Sequence, residues 1–175
     1  MKNRTIRNTI ITLVVIAALA AVSYIVVIRP VQYNLGEKYY QSRVFDESSR
    51  IFSKLGNYKD SRSLYIRSLY HLGTMYYGAY NYLDAIAIFE ELAGTLPGTE
   101  VLITDSYYMM AIMEGIAGRY DSCLDILAGL GGYAKSDLMM ESARTKDRDA
   151  LLTEYRIHVI PLSFGEVVRI YLSEQ

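Results

Sequence analysis

The sequence predicts an all-α protein in which a single transmembrane helix precedes a short solenoid of helical hairpins. Two observations predict this fold. An uncharged apolar run fills residues 9–28, and the stretch YNLGEKYY at 33–40 returns in nearly the same letters, YHLGTMYY, at 70–77. The two stretches are 37 residues apart, and self-similarity at a period of this size is the signature of stacked helical repeats.

The apolar run at residues 9–28 has the length of a membrane span. As a helix of twenty residues it would be about 30 Å long, which matches the hydrocarbon core of a bilayer. A cleaved signal peptide is the alternative, because small residues at 18–20 and 21–23 resemble cleavage sites. The run continues beyond both positions to Ile28, and this length favours an uncleaved anchor.

The flanks of this run predict its orientation. Three basic residues lie in the flank at 1–8, whereas Arg29 is the only basic residue among the first nine after the run. The positive-inside rule then places the N-terminus in the cytoplasm and residues 30–175 on the other side of the membrane.

The repeated stretch opens a longer pattern that occurs three times, with offsets of 37 and then 38 residues. Its elements are Leu-Gly, an aromatic residue three positions later, then a small residue, and an aromatic residue four positions after that. The matching residues are Leu35, Gly36, Tyr39, Ser48 and Phe52 in the first copy, Leu72, Gly73, Tyr76, Ala85 and Phe89 in the second, and Met110, Ala111, Glu114, Cys123 and Leu127 in the third.

This pattern resembles the tetratricopeptide repeat over roughly residues 30–132. The second copy carries the family pattern through to Pro97, and the third copy departs most, since Glu114 stands where a tyrosine is expected. The Sel1-like repeat also uses Leu-Gly and a nearby tyrosine, but its loop is longer. The twelve residues from Gly73 to Ala85 match the tetratricopeptide distance.

The resemblance implies three pairs of packed helices. Gly36 and Gly73 would leave room for the second helix of each pair, and Phe52 and Phe89 would reach toward the next pair. We expect the first helices near 30–43, 61–79 and 100–118, and the second helices near 45–55, 82–93 and 120–130.

Residues 133–175 are predicted to cap the solenoid. The charged stretch at 141–155 predicts one helix with a polar outer face, as the end of a solenoid requires. Ser163 and Glu166 form a capping-box pattern, which predicts a short last helix over 163–172.

The sequence shows no constellation that indicates catalysis. A net charge of −1 gives no basic footprint for nucleic acid. Neither a phosphate-binding loop nor a metal-ligand motif is present, and His71 and His158 stand alone. Cys123 falls where the repeat places a small buried residue. We therefore expect a non-catalytic protein without a cofactor or metal.

Tetratricopeptide arrays hold an extended or helical peptide against the first helices of their pairs, and the resemblance implies the same here. Tyrosines predominate among the predicted groove residues, which are Tyr33, Glu37, Tyr40, Arg67, Tyr70, Thr74, Tyr77, Asp105, Tyr108 and Ile112. The alternative is that these tyrosines fill the core, or that Tyr24 and Tyr33 anchor the chain at the membrane interface.

These features together predict a membrane-anchored scaffold that binds a protein or peptide partner. A second hypothesis is a structural role, in which the repeats associate into homo-oligomers or brace a larger membrane or cell-envelope assembly.

Overall fold

The computed structural model describes residues 2–158, and every regular element in that range is helical. The all-α prediction is thus confirmed. The elements are α1 (Lys2–Ser23), a π-helical stretch (Tyr24–Ile28), α2 (Arg29–Gln41), α3 (Phe45–Leu55), α4 (Ser61–Gly78), α5 (Tyr82–Leu92), α6 (Thr99–Ile116), α7 (Tyr120–Ala128), α8 (Ser136–Arg144) and α9 (Arg148–Ile157).

The N-terminal helix is unusually long. The segment Asn8–Gln41 has 34 residues, is apolar enough to cross a membrane, and has none of its most apolar part buried within the structure. At 1.5 Å per residue it extends about 50 Å, well beyond the roughly 30 Å of a hydrocarbon core. The predicted span at 9–28 therefore continues without a break into the first helical pair.

The six helices predicted from the repeat agree with the structure to within two residues at each end. Agreement is closest for α3, predicted at 45–55 and observed at Phe45–Leu55. Turn residues explain this accuracy. Gly56, with φ of +57°, follows α3, and Gly118, with φ of +82°, lies between α6 and α7, so these glycines adopt a backbone conformation that ends a helix.

The chain divides into two compact units, residues 1–68 and 69–175, and the division falls inside α4. In the first unit, a buried cluster joins the helical pair α2–α3 to the start of α4 through Tyr33, Phe52, Leu55 and Leu64. The second unit has a larger core centred on α6, α7 and the helices that follow. Its buried members are Tyr82, Tyr108, Met109, Ala111, Ile112, Cys123, Leu127, Met139, Ala143 and Leu151.

Arg29 joins the N-terminal helix to the first helical pair. Its Nη2 donates a hydrogen bond of 2.8 Å to the carbonyl oxygen of Leu55, at the C-terminus of α3. Its guanidinium carbon also lies 5.0 Å from the ring centre of Tyr58. A cation is favourable at a helix C-terminus and over an aromatic face, so both contacts fix α3 against the end of the apolar helix.

The repeated glycines lie under aromatic rings. A Cβ on Gly36 would lie 2.9 Å from Cζ of Phe52, and one on Gly73 would lie 2.5 Å from Cε1 of Phe89. The rings were expected to reach toward the next pair. Each covers the glycine of its own pair, and Phe52 also belongs to the buried cluster that includes Leu64 of α4. Any larger residue would push the two helices apart.

The third pair solves the same packing problem with different residues. Ala111 stands in the place of the glycine and Leu127 in the place of the phenylalanine, and both are fully buried in one core. Compared with the first two pairs, Ala111 adds a methyl group and Leu127 replaces the phenylalanine ring with a smaller side chain. Such a volume-conserving exchange keeps the core filled.

The C-terminal part differs from the prediction of one helix over 141–155. The structure has two helices there, α8 and α9, with a break at residues 145–147. Lys146 adopts a left-handed conformation with φ of +57°, which stops α8. The side chain of Asp147 then accepts a hydrogen bond of 3.0 Å from the backbone N–H of Ala150 and caps α9. The helix predicted over 163–172 lies outside the described residues.

Candidate functional site

Helix α6 is the centre of the second unit and its most thoroughly enclosed helix among the described residues. α5, α7 and α9 each pack against it. One stripe of α6, which we call the α6 stripe, consists of Asp105, Tyr108, Ile112 and Gly115, at the helical spacing i, i+3, i+7 and i+10. All four residues are buried. The first three are predicted groove residues, so this stripe is the candidate site.

Helix α9 runs antiparallel along the α6 stripe. Leu151, near its start, lies over Gly115. Glu154, one turn on, accepts a hydrogen bond of 3.1 Å from the hydroxyl of Tyr108. At the end of α9, Nε2 of His158 lies 2.7 Å from Oδ1 of Asp105. Thus the chain places one of its own helices on the surface where the sequence predicts a ligand.

Asp105 is a fully buried carboxylate with a complete set of donors. Oδ2 accepts a hydrogen bond of 2.6 Å from the hydroxyl of Tyr77, and Oδ1 accepts one of 3.0 Å from the hydroxyl of Tyr133. His158 supplies the third donor. A buried carboxylate without donors would cost several kcal/mol, so these contacts hold four separate segments of the second unit together.

Glu154 is the second buried carboxylate of the cluster. Its Oε2 accepts a hydrogen bond of 2.6 Å from Nζ of Lys135, and its Oε1 lies 3.6 Å from Nδ1 of His158. With His158 protonated, the two carboxylates are balanced by one lysine and one imidazolium. The cluster is then neutral and joins α9 to α6 and to the segment before α8.

The surroundings shift the protonation of these groups. The hydrogen bond to Asp105 raises the pKa of His158 and outweighs burial, which acts in the opposite direction. For Glu154, burial favours the neutral acid, but the donors Lys135 and Tyr108 outweigh it and lower the pKa. Both shifts favour the charged forms, so each stabilises the docked position of α9.

The tyrosine hydroxyls of the cluster remain protonated. Burial, followed by the neighbouring carboxylates, raises the pKa of Tyr77, Tyr108 and Tyr133 above the ordinary value. A phenol that keeps its proton acts as a hydrogen-bond donor. These three tyrosines therefore position the carboxylates and show no feature that would activate them as acids or nucleophiles.

Gly115 lies where α9 comes closest to α6. A Cβ at this position would lie 2.6 Å from Cδ1 of Leu151 and 3.1 Å from Sγ of Cys123. With the offsets of 37 and 38 residues, Gly115 occupies the repeat place that holds Tyr40 and Tyr77 in the first two copies. The third copy thus lacks a tyrosine at the point where that ring would displace α9.

Tyr155 of α9 packs beside a group of tyrosines from α4, α5 and the loop between them. The rings of Tyr80 and Tyr155 lie 5.7 Å apart, and the rings of Tyr77 and Tyr82 meet edge to face at 5.2 Å. Aromatic pairs at such distances contribute about 0.5–1.5 kcal/mol beyond their buried area. Tyr155 therefore extends the contacts of α9 to the loop between α4 and α5.

The ten predicted groove residues differ widely in exposure. Asp105, Tyr108 and Ile112 are fully buried, while Tyr33 and Tyr70 are 6% and 3% exposed. The half-buried ones are Glu37, Tyr40, Thr74 and Tyr77, and Arg67 is exposed. The structure brings Tyr77, Asp105 and Tyr108 together in one cluster. Assignment of the ten to a ligand groove stays a prediction.

The first unit has a smaller polar cluster around Tyr33. Its hydroxyl donates a hydrogen bond to Asp60 and lies 3.3 Å from Oε1 of Glu37, a second acceptor. The ammonium group of Lys59 lies 4.2 Å from the centre of the Tyr33 ring. In this conformation Tyr33 and Glu37 serve packing within their own unit.

Four residues of the cluster were not predicted from the sequence, namely Tyr133, Lys135, Glu154 and His158. They lie outside the repeat pattern, and His158 is 53 residues from the carboxylate that it contacts. The sequence contains one indication of this contact: Gly115 stands at the repeat position where the first two copies have Tyr40 and Tyr77. A glycine that replaces a recurring aromatic residue indicates that another segment occupies the space.

Cys123 is buried in the core of the second unit. Burial raises the pKa of its thiol to about 11, and a hydrogen bond from the backbone of Gly115 offsets only part of this shift. The thiol is therefore protonated at neutral pH, which disfavours a nucleophilic role. Among the described residues, no group of three metal-ligating side chains comes together.

No protein-family model, curated protein or solved structure matches this chain.

Proposed function

We propose that this chain is a membrane-anchored, non-catalytic scaffold of tetratricopeptide-like helical pairs that binds a protein or peptide partner. The apolar helix would anchor it, with the N-terminus in the cytoplasm and residues 30–175 on the other side. Support for the repeat assignment comes from Gly36 and Gly73, since each lies under an aromatic ring of the second helix of its pair.

The observation that carries the proposal is the helix seated on the α6 stripe. Tetratricopeptide-like folds receive ligands along the first helices of their pairs, and α6 is the first helix of the third pair. Its stripe receives α9 through one apolar contact at Gly115 and polar contacts at Tyr108 and Asp105. A surface that accommodates one amphipathic helix has the shape and donors to accommodate another.

The N-terminal helix supports a function at the membrane surface. It continues from the apolar segment directly into α2, and Arg29 fixes α3 against it. The first helical pair is therefore joined to the anchor without a flexible linker. Such a connection suits a scaffold that holds its first helical pair close to the membrane.

Photo-crosslinking in the native membrane tests this function. A photoreactive amino acid replaces the exposed Arg67 on the predicted groove, and in a matched variant it replaces the exposed Glu90 of α5. We expect a discrete adduct with another protein from position 67 and none from position 90. Equal patterns from both positions, or no adduct from either, would contradict partner binding. An adduct between two copies of this chain would favour the self-association hypothesis instead.

Topology is tested separately. Cys123 is buried, so an added cysteine at the exposed Ser53 is the only accessible thiol among the described residues. A membrane-impermeant maleimide should label the Ser53→Cys variant in intact cells. Labelling that requires permeabilised cells would place the repeats on the cytoplasmic side and refute the proposed orientation.

A further inference from the structure

We propose that α9 is an internal ligand of the α6 stripe, and that a partner helix with the same contact chemistry displaces it. This inference rests on the proposed function, because it names the class of partner for the same groove. It also assigns a regulatory role to α9. In the structure described here, the binding surface is closed by the chain itself.

The contact residues of α9 define the chemistry of that partner. They are Leu151, Glu154, Tyr155 and His158, whose spacing of three, one and three residues places them on one helical face. The partner is therefore an amphipathic helix with an apolar residue, a carboxylate three residues later and an aromatic ring beside it. The apolar residue would fill the space over Gly115.

The carboxylate sets the specificity. Glu154 receives the hydroxyl of Tyr108 at 3.1 Å and the ammonium group of Lys135 at 2.6 Å. The Lys135 side chain is half exposed, so it remains accessible to an incoming carboxylate. A ligand without an acid at this position would leave the Tyr108 hydroxyl buried and unpaired, which disfavours its binding.

The construction of α9 allows it to detach. It has ten residues, and helices of that length are marginal on their own in water. Of these ten, only Leu151 and Glu154 are fully buried, while Thr153, Arg156 and Ile157 face solvent. Segments with few buried contacts open more readily than a core. The break at residues 145–147 provides the hinge.

The core beneath α9 includes contacts between α6 and α7. On the side of α6 that faces α7, Ala111, Cys123 and Leu127 are fully buried together. Met109 belongs to the same cluster and is 4% exposed. Leu151 of α9 belongs to the same buried cluster, so α9 covers one side of a core that α6 and α7 also build between themselves. We expect the α6–α7 part of this core to stay folded when α9 detaches.

Peptide binding to the full-length chain in detergent micelles tests the proposal. The probe is a fluorescent peptide with the sequence of residues 147–158, and binding is followed by anisotropy. The Leu151→Asp variant places a charge against Gly115 and detaches the chain's own helix. The control is Thr153→Asp, which adds the same charge on the exposed face of the same helix.

We expect the peptide to bind the Leu151→Asp chain at least about tenfold more tightly than the wild type or the control. In those two chains the tethered α9 competes at an effective concentration of about millimolar. A peptide that itself carries Leu151→Asp should not bind any of the three chains. Hydrogen exchange of the α6 and α7 amides is measured on the same samples to verify that both helices remain folded.

Two results would overturn the inference. One is a Leu151→Asp chain that keeps α6 and α7 protected but binds the peptide no better than the wild type. The other is a Leu151→Asp chain whose α6 and α7 amides exchange at once, because α9 would then be an integral part of the core. Photo-crosslinking from position 67 tests the proposed partner binding independently of α9. Partner adducts without peptide binding would leave the scaffold function intact and refute only the role of α9.

Discussion

Gly115 of α6 lies directly beneath Leu151 of α9, and a Cβ at Gly115 would lie only 2.6 Å from Cδ1 of that leucine. The first two copies of the repeat hold Tyr40 and Tyr77 at the equivalent place. The third copy thus lacks the aromatic ring at the place where α9 packs. This relationship connects the repeat pattern, the closed α6 stripe and the proposed regulation.

Compensating substitutions test the contact between these two residues. Leu151→Ala should destabilise the chain by about 2–5 kcal/mol, because it leaves a cavity over Gly115. Gly115→Ala adds a methyl group that the leucine side chain now blocks. In the double variant the new methyl group enters the space that the leucine vacated, so the double variant should be more stable than the sum of the single effects predicts. Urea unfolding in micelles measures this coupling, and strict additivity would show that the two side chains do not meet.

The glycine under Phe89 gives a second test. Gly73→Ala should be less stable than Gly78→Ala by about 1–3 kcal/mol, because a Cβ at Gly73 would lie 2.5 Å from the Phe89 ring while Gly78 faces open space. Both variants gain similar helix propensity, so Gly78→Ala is the matched control. Adding Phe89→Leu to Gly73→Ala reproduces the alanine and leucine of the third copy and should recover stability. Equal stabilities for the two alanine variants would refute the close packing.

Asp105→Asn tests the buried cluster. This change keeps the shape of the side chain but removes the charge that balances His158, and it replaces one of the two acceptor oxygens used by Tyr77 and Tyr133 with an NH2 donor. We expect a loss of about 3 kcal/mol in the free energy of unfolding, as for breaking one side of a buried ion pair. Asp125→Asn, at an exposed position of α7, should change stability by less than about 0.5 kcal/mol. Urea unfolding measures both variants. Equal stabilities would show that the cluster around Asp105 does not contribute to the stability of the fold.

The pH dependence of α9 docking follows from His158. Because the folded state raises the pKa of His158 above the ordinary value, its contribution is complete below about pH 6.5 and is lost as pH rises through the folded-state pKa. Glu154 has a lowered pKa, so its contribution is lost only as the solution becomes strongly acidic. Docking should therefore be tightest in weakly acidic solution.

An NMR titration of the two histidines measures this effect. The signal of His158 should titrate at higher pH than a histidine in an unfolded peptide. In the Asp105→Asn variant the pKa of His158 should fall, since the hydrogen bond to Asp105 is the largest cause of its shift. A His158 pKa that is unchanged by this substitution would contradict the bridging geometry.

The fold was predictable where the sequence repeats itself. Gly36 and Gly73 mark the first helices because their side-chain hydrogens face the rings of Phe52 and Phe89, and this local packing gives the sequence its period. The hairpin turns were predictable for a similar reason. The turns within the three helical pairs contain Ser42, Asn81 and Gly118, one in each, and the helix ends agree with the structure.

The α6 stripe was predictable only in part. The repeat register placed Asp105, Tyr108 and Ile112 on one face of α6, but it contains no information about the segment that covers them. Contacts such as that between Asp105 and His158 join residues 53 positions apart, and no local pattern encodes such a pairing. The start of α9 could have been predicted from the sequence. An aspartate ahead of an apolar run is a common helix cap, and Asp147 has that role.

Hydrogen exchange of the wild-type chain in micelles, followed peptide by peptide, tests whether α9 detaches while α6 and α7 stay folded. We expect the amides of α9 to exchange well before those of α6 and α7. The difference should widen as pH rises through the pKa of His158, after correction for intrinsic rates. Exchange of all three helices in a single step would contradict this expectation.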